Sequence, residues 1–184
     1  SLGFNRLSII DLHDRAMQPF LSNDKKKILV FNGEIYNYEN IKKKYFSNYK
    51  FRTKSDTEVL MVSLEKWGIA ALEKLSGMFS FCYIDQKKRE AYIARDRFGQ
   101  KPLYFSKKKD SFTFASEIKA LLSNDIDNSV NYQELLRFVN FSQYDNGDKT
   151  LFKNIFQLNS GNYIKYDLKN NRFQIFNWYN LKKE

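Results

Sequence analysis

Apolar positions along the chain fall into short blocks between polar turns, and their spacing changes from period two to helical and back. Residues 7–10 and 28–31 (ILVF) read as short buried strands, the second running into Asn32-Gly33-Glu34. Asp56 stands where a helix N-cap is wanted, and Val59, Leu60, Ser63, Leu64 and Trp67 follow at helical spacing. Gly68 marks the end of that helix, with a shorter helical stretch through Leu75. From Gly77 the pattern is strand-like: GMFSFCYID, a turn QKKR, EAYIARD, then PLYFS, a turn KKKD, and SFTFAS. Helical stretches are expected near 117–122 and 132–141, and GNYIKYDLKNNRFQIFNWY reads as a hairpin turning at Lys169-Asn170-Asn171. Hairpin-joined strands followed by helices and more strands predict an α+β fold, with antiparallel sheets layered against helices.

Composition narrows the class. The 184 residues suffice for one domain with a substantial core, and 17% aromatic content excludes a disordered chain. A single cysteine, Cys82, excludes an internal disulfide framework and a multi-thiolate zinc site, and a single histidine, His13, excludes a His-rich metal site. No apolar run reaches bilayer-spanning length and no signal-peptide pattern opens the sequence, so a soluble, reduced, cytoplasmic domain is expected. The net charge of +10 sits largely in lysine clusters at 25–27, 42–44, 87–89 and 107–109. The first, third and fourth lie beside Asp, Asn or Ser between apolar runs, the place of surface turns. Lysine outnumbers arginine 23 to 8, whereas phosphate and base recognition favours the arginine fork. The charge therefore reads as a solvated surface, with neither nucleic acid nor membrane as partner.

Four segments carry more polar and glycine residues than packing requires: Arg6-Leu7-Ser8-Ile9-Ile10, Asn32-Gly33-Glu34-Ile35-Tyr36-Asn37, Ser55-Asp56-Thr57-Glu58-Val59, and Ala94-Arg95-Asp96-Arg97-Phe98-Gly99. Each alone has a structural reading: Arg6 as a surface ion-pair partner, Asn32-Gly33 as a hairpin turn, Asp56 as a helix cap, Arg95-Asp96-Arg97 as a salt-bridge knot. Together they suit one ligand. A small molecule with a carboxylate and an ammonium needs an arginine and an acid a few ångströms apart. An amide carbonyl under attack needs donors aimed at its developing oxyanion, which an Asn amide and a glycine N–H can supply. The residues thus fit a free amino acid with a side-chain amide, but they include no nucleophile.

The segments RLSIIDL, QPF, FNGEIYNY, SDTEVL, GMFSFCYID and ARDRFGQKPLYF, in this order and spacing, resemble the class II (type 2) glutamine amidotransferase domain of glutamine-hydrolysing asparagine synthetases. The resemblance runs from about Gly3 to Leu122 and more weakly through TLFKNIFQLNSGNYI and Asn177-Trp178. It implies an N-terminal-nucleophile hydrolase-like fold of αββα layers with stacked antiparallel sheets, here N-terminally truncated. Residues 1–184 would be a partial domain, its core about 3–122, with 123–184 forming helices and a hairpin that lead toward a synthetase domain.

By the resemblance, Arg6 binds the glutamine α-carboxylate and Asp56 its α-amino group; Asn32 and Gly33 form the oxyanion hole, and Glu34 lines the pocket. The main chain near Leu7, Ile9 and Ile10 lies along the substrate. Arg95-Asp96-Arg97-Phe98-Gly99 reads as scaffold, or as a face toward the synthetase domain. The family's nucleophile is a cysteine at the mature amino terminus, with its own α-amine as base. That opening is absent from these residues, and neither Cys82, in mid-strand, nor Ser1, five residues before Arg6, is expected to replace it. Phe4-Asn5 stands where the family has His-Arg, and His13 falls in an expected loop.

The resemblance implies a parent enzyme that hydrolyses glutamine to glutamate and ammonia. A synthetase domain of the same chain would pass that ammonia to aspartate activated by ATP and Mg²⁺ as an acyl-adenylate. The present residues, without the nucleophile, are expected to be inactive alone and to hold no cofactor or metal themselves. An unpaired sheet edge makes a homodimer an expectation. Two other readings stay open: an amidotransferase of this family with another acceptor, such as a sugar acid or a β-lactam precursor, and a non-catalytic interaction module.

Overall fold

The computed structural model describes residues 2–4, 16–109, 111–122, 126–144 and 146–181. The strand expected at 7–10 therefore lies outside the described residues. Among the described residues, strands β1 (Phe20–Leu21), β2 (Lys27–Ile35), β3 (Gly77–Asp85), β4 (Glu90–Arg95), β8 (Asn162–Asp167) and β9 (Arg172–Asn177) form a six-stranded antiparallel sheet in the order β1-β2-β3-β4-β8-β9. Strands β5 (Tyr104–Lys107), β6 (Phe112–Ala115) and β7 (Phe156–Gln157) form a second antiparallel sheet, ordered β6-β5-β7.

Period-two alternation gives the larger sheet two buried faces. On one, Leu29, Phe31, Ile35, Phe79, Phe81 and Tyr83 meet α2 (Asp56–Trp67) and the 3-10 helix Gly68–Lys74, with α1 (Tyr38–Tyr45) alongside. On the other, Val30, Cys82, Ala91, Ile93 and Ile164 pack on Leu103, Phe105 and Leu158 of the smaller sheet's layer. Beyond that, Tyr104 and Ala115 carry the outer helix α3 (Ile118–Leu122) through Leu121, Ile126 and Ile155. The result is helix, sheet, sheet, helix, the layering expected from the sequence. Helix α4 (Tyr132–Phe141) follows and buries Glu134, held by Asn146 Nδ2 at 2.9 and 3.0 Å.

Helix α2 does most to position the site. Its residues 56–64 are all buried, and each apolar side chain among them contributes roughly 1.5–3 kcal/mol. Its cap is one residue earlier than expected. Ser55 is the N-cap, extended at φ −76°, ψ 143°, with its Oγ accepting from Thr57 N at 3.1 Å, so Asp56 is the first helical residue. The serine meets the capping need, which leaves the Asp56 carboxylate for other contacts.

Three further features are decided by the fold. Asn32-Gly33 is not a turn but the interior of β2, paired with Ser80 and Phe79 of β3. Helix α1 was unforeseen, since only Ile41 of its eight residues is buried, and the 42–44 lysines form its last turn. The Arg95-Asp96-Arg97 segment is held mainly through main-chain groups. Asp96 accepts from the N–H of Phe79, Phe98, Gln100 and Lys101 at 3.0–3.1 Å. Arg95 donates to the carbonyls of Lys101, Leu158 and Gly99 at 2.7 Å, and Arg97 to those of Leu75 and Glu73.

Candidate functional site

Pairing geometry decides what β2 presents. Phe79 is aligned with Gly33, but its carbonyl accepts Asp96 N at 2.8 Å and its N–H donates to Asp96 Oδ2 at 3.1 Å, both on the β4 side. Gly33 and Phe79 therefore form a non-hydrogen-bonded, close pair. A Cβ on Gly33 would strike the Met78 carbonyl oxygen and lie 2.7 Å from Phe79 Cα, and φ is +148°. Glycine is required for close approach, not for a turn.

The same geometry turns the Gly33 N–H away from β3, toward the opposite edge of β2. There Phe31, two residues earlier, donates its N–H to Gln18 Oε1 at 2.6 Å, and Gln18 Nε2 donates to the Phe31 carbonyl at 3.0 Å. Two residues later, Ile35 N donates to Asp56 Oδ2 at 3.0 Å. A side-chain amide and a carboxylate thus cover this edge on either side of Gly33. Strand β1 pairs only with Ile28 and Leu29, so no described strand covers Gly33 itself.

Asn32, Gly33, Glu34 and Asp56 all line one cavity of about 910 Å³, shared with Gln18, Ser55, Thr57 and Ser80, and with Ser116 and Glu117 from beyond β6. Asn32 Nδ2 donates to Ser116 Oγ at 3.3 Å, which leaves its second N–H for a ligand. Asp56 is buried, and that burial raises its carboxyl above the ordinary aspartate range, with the nearby Glu34 charge adding to the rise. The N–H groups of Ile35 and Thr57 and the Ser55 hydroxyl act against it. An acid so placed gains from a cation brought beside it.

Of the expected site residues, Asn32, Gly33, Glu34 and Asp56 are therefore brought together. Arg6, Leu7, Ile9 and Ile10, like His13, lie outside the described residues. Cys82 packs between the sheets, where it also reaches the wall of this cavity, and burial pushes its thiol up to about 12, which disfavours the thiolate. Gln18 and Ser116 were not foreseen as part of the site. QPF stood out in the sequence, but a bidentate amide on a strand edge has no spacing of its own. Among the described residues no group of three or more His, Cys, Asp or Glu could hold a metal, and no helix is long and apolar enough to cross a membrane.

Comparison with solved structures shows a shared fold. Glutamine phosphoribosylpyrophosphate amidotransferase from B. subtilis aligns with TM-score 0.60 at 20% identity, over 88% of this chain and 32% of that one. A structure described as the allosteric regulatory enzyme of purine biosynthesis aligns with TM-score 0.62 at 20% identity, over 89% and 31%. Residues 1–179 match the glutamine amidotransferase domain family, and the chain belongs to it. Asparagine synthetase [glutamine-hydrolyzing] 2 of Bacillus subtilis (strain 168) is 37% identical over 185 residues, covering 98% of this chain and 24% of its own length. Asparagine synthetase [glutamine-hydrolyzing] 1 of the same organism is 39% identical over 140 residues, covering 76% and 22%. Amidase chry2 of Gibberella zeae is 30% identical over 163 residues, covering 89% and 24%. The chain thus spans about a quarter of the length of these relatives.

Proposed function

We propose that this chain is the glutamine-hydrolysing part of a longer asparagine synthetase-type enzyme. Residues 1–184 are then most of the amidotransferase domain, with a core of about 3–122 and a 123–184 region leading toward the synthetase portion. Glutamine lies along the open edge of β2. Asp56 receives its ammonium, Arg6 its α-carboxylate, and the main chain of Leu7, Ile9 and Ile10 flanks it beside Glu34. A thiolate from a cysteine outside these residues attacks the side-chain amide carbon. Asn32 Nδ2 and the Gly33 N–H hold the oxyanion, the C–N bond breaks as the leaving nitrogen takes a proton, and water then releases glutamate from the thioester. The ammonia serves the synthetase portion, where ATP, Mg²⁺ and aspartate belong. The protein works in the cytoplasm, where its free Cys82 stays reduced, and a homodimer is the assembly this reading expects.

The observation that carries the reading is the Gly33 N–H, left facing a cavity between two side chains that cover the strand edge, with a buried acid 3.0 Å from the next N–H along. An amidotransferase with a different acceptor is the second reading. It is favoured by a relative, 30% identical over 163 residues, whose name is amidase and not asparagine synthetase. Ammonia release from glutamine by the natural protein carrying this chain tests the roles. Asn32→Ala should lower it by roughly 100- to 1,000-fold while Cys82→Ser leaves it near wild type. Loss with Cys82→Ser, or full activity with Asn32→Ala, would overturn the assignment.

A further inference from the structure

Asp56 owes its placement to the turn before it. Ser55 and Glu58 have the S-x-x-E spacing of a capping box, in which the acid takes the N–H of the capping residue. Here Glu58, only 1% exposed, reaches past Ser55. Its Oε1 accepts from Arg52 N at 3.0 Å, and its Oε2 accepts from Thr53 N at 2.6 Å and Thr53 Oγ1 at 2.8 Å. Thr53 Oγ1 in turn accepts the Ser55 N–H at 3.2 Å. The box is closed through a threonine relay, and the N–H groups of three turn residues, Arg52, Thr53 and Ser55, are held where an ordinary box holds one. Arg52 ties the same turn to β1, its Nη2 donating to the Leu21 carbonyl at 2.7 Å. Ser55, Asp56 and Thr57 line the cavity, whereas Thr53 and Glu58 do not.

We infer that Glu58 and Thr53 are positioning residues: their relay fixes the 52–55 turn and so sets the Asp56 carboxylate between the Ile35 N–H and the ligand's ammonium. The inference rests on the reading of the cavity as a glutamine pocket. A functional carboxylate keeps one position only when its rotamer and the backbone that carries it are fixed by packing and supporting hydrogen bonds. The relay supplies that hold from a side that touches no ligand.

The test compares two ligands by calorimetry on the natural protein carrying this chain, its nucleophilic cysteine replaced by alanine so that glutamine is bound and not consumed: glutamine, and 4-carbamoylbutanoate, which lacks only the α-amino group. Wild type should prefer glutamine, and Asp56→Asn should abolish the preference. Thr53→Val, which removes the relay hydroxyl at similar volume, should weaken glutamine about tenfold and leave 4-carbamoylbutanoate within about twofold. Glu58→Gln should act in the same direction, and Thr53→Ser should restore wild-type selectivity. Parallel losses for both ligands would mean a merely structural role and overturn the inference. So would wild-type selectivity in Thr53→Val and Glu58→Gln beside its loss in Asp56→Asn, a result that leaves the pocket reading standing. Absence of any preference in wild type, or its survival in Asp56→Asn, would remove the pocket reading and the inference with it.

Discussion

At Asp56, stability and function pull in opposite directions. Burial raises its carboxyl, so the folded chain holds that proton to a higher pH than the unfolded chain does. The stability this group contributes is fully present below the unfolded aspartate range and is lost as pH rises through the folded value. Asp56→Asn should therefore leave Tm at neutral pH unchanged or higher, while weakening glutamine by about 3 kcal/mol, roughly 100-fold. Thermal melts and calorimetry on the same samples check both halves. Glutamine affinity should also fall on acidification, beginning at a higher pH than an ordinary aspartate would require, and a flat profile across that range would remove Asp56 as the cation's partner. Gly33→Ala meets the Met78 carbonyl at a φ of +148° and should destabilise by about 3 kcal/mol in a urea titration.

Among the elements, strands and long helices were readable because their spacing is set by burial. Helix α4 falls at 132–141 as its periodicity predicts, and GMFSFCYID is β3 end to end. Helix α1 escaped because the apolar stripe of YENIKKKY is short, Tyr38, Ile41 and Tyr45, and only Ile41 of the three is fully buried. Asn32-Gly33 has the chemistry of a turn, and only the partner strand, contributed some 45 residues later, makes it strand interior. The site was legible as residue types, since Asn32, Gly33, Glu34 and Asp56 do line one cavity. Its edge geometry was not, because Gln18 and Ser116 reach it through tertiary contacts alone. The cap of α2 illustrates a local cue passed over: SDTE contains both the serine cap and its acid partner. Ser55→Ala should cost about 1 kcal/mol, measured by denaturation, through loss of the Thr57 N–H contact.

For the whole molecule, the Asp96 carboxylate is the joint between site and tail. It fixes Phe79 behind Gly33 and shapes the turn to Lys101, while the Asp96 carbonyl accepts Gly161 N at 2.8 Å and the Arg95 carbonyl accepts Trp178 Nε1 at 3.2 Å. Asp96→Asn places an amide nitrogen among four N–H donors and should destabilise by about 3 kcal/mol in chemical denaturation. The central claim is that the Gly33 N–H opens onto a glutamine pocket. NMR titration of the ¹⁵N-labelled chain with glutamine tests it most directly. The Gly33 and Ile35 amide resonances should shift saturably, and together, as glutamine is added. Saturating glutamine that leaves both unmoved, or that moves only resonances distant from β2 and the start of α2, would contradict it.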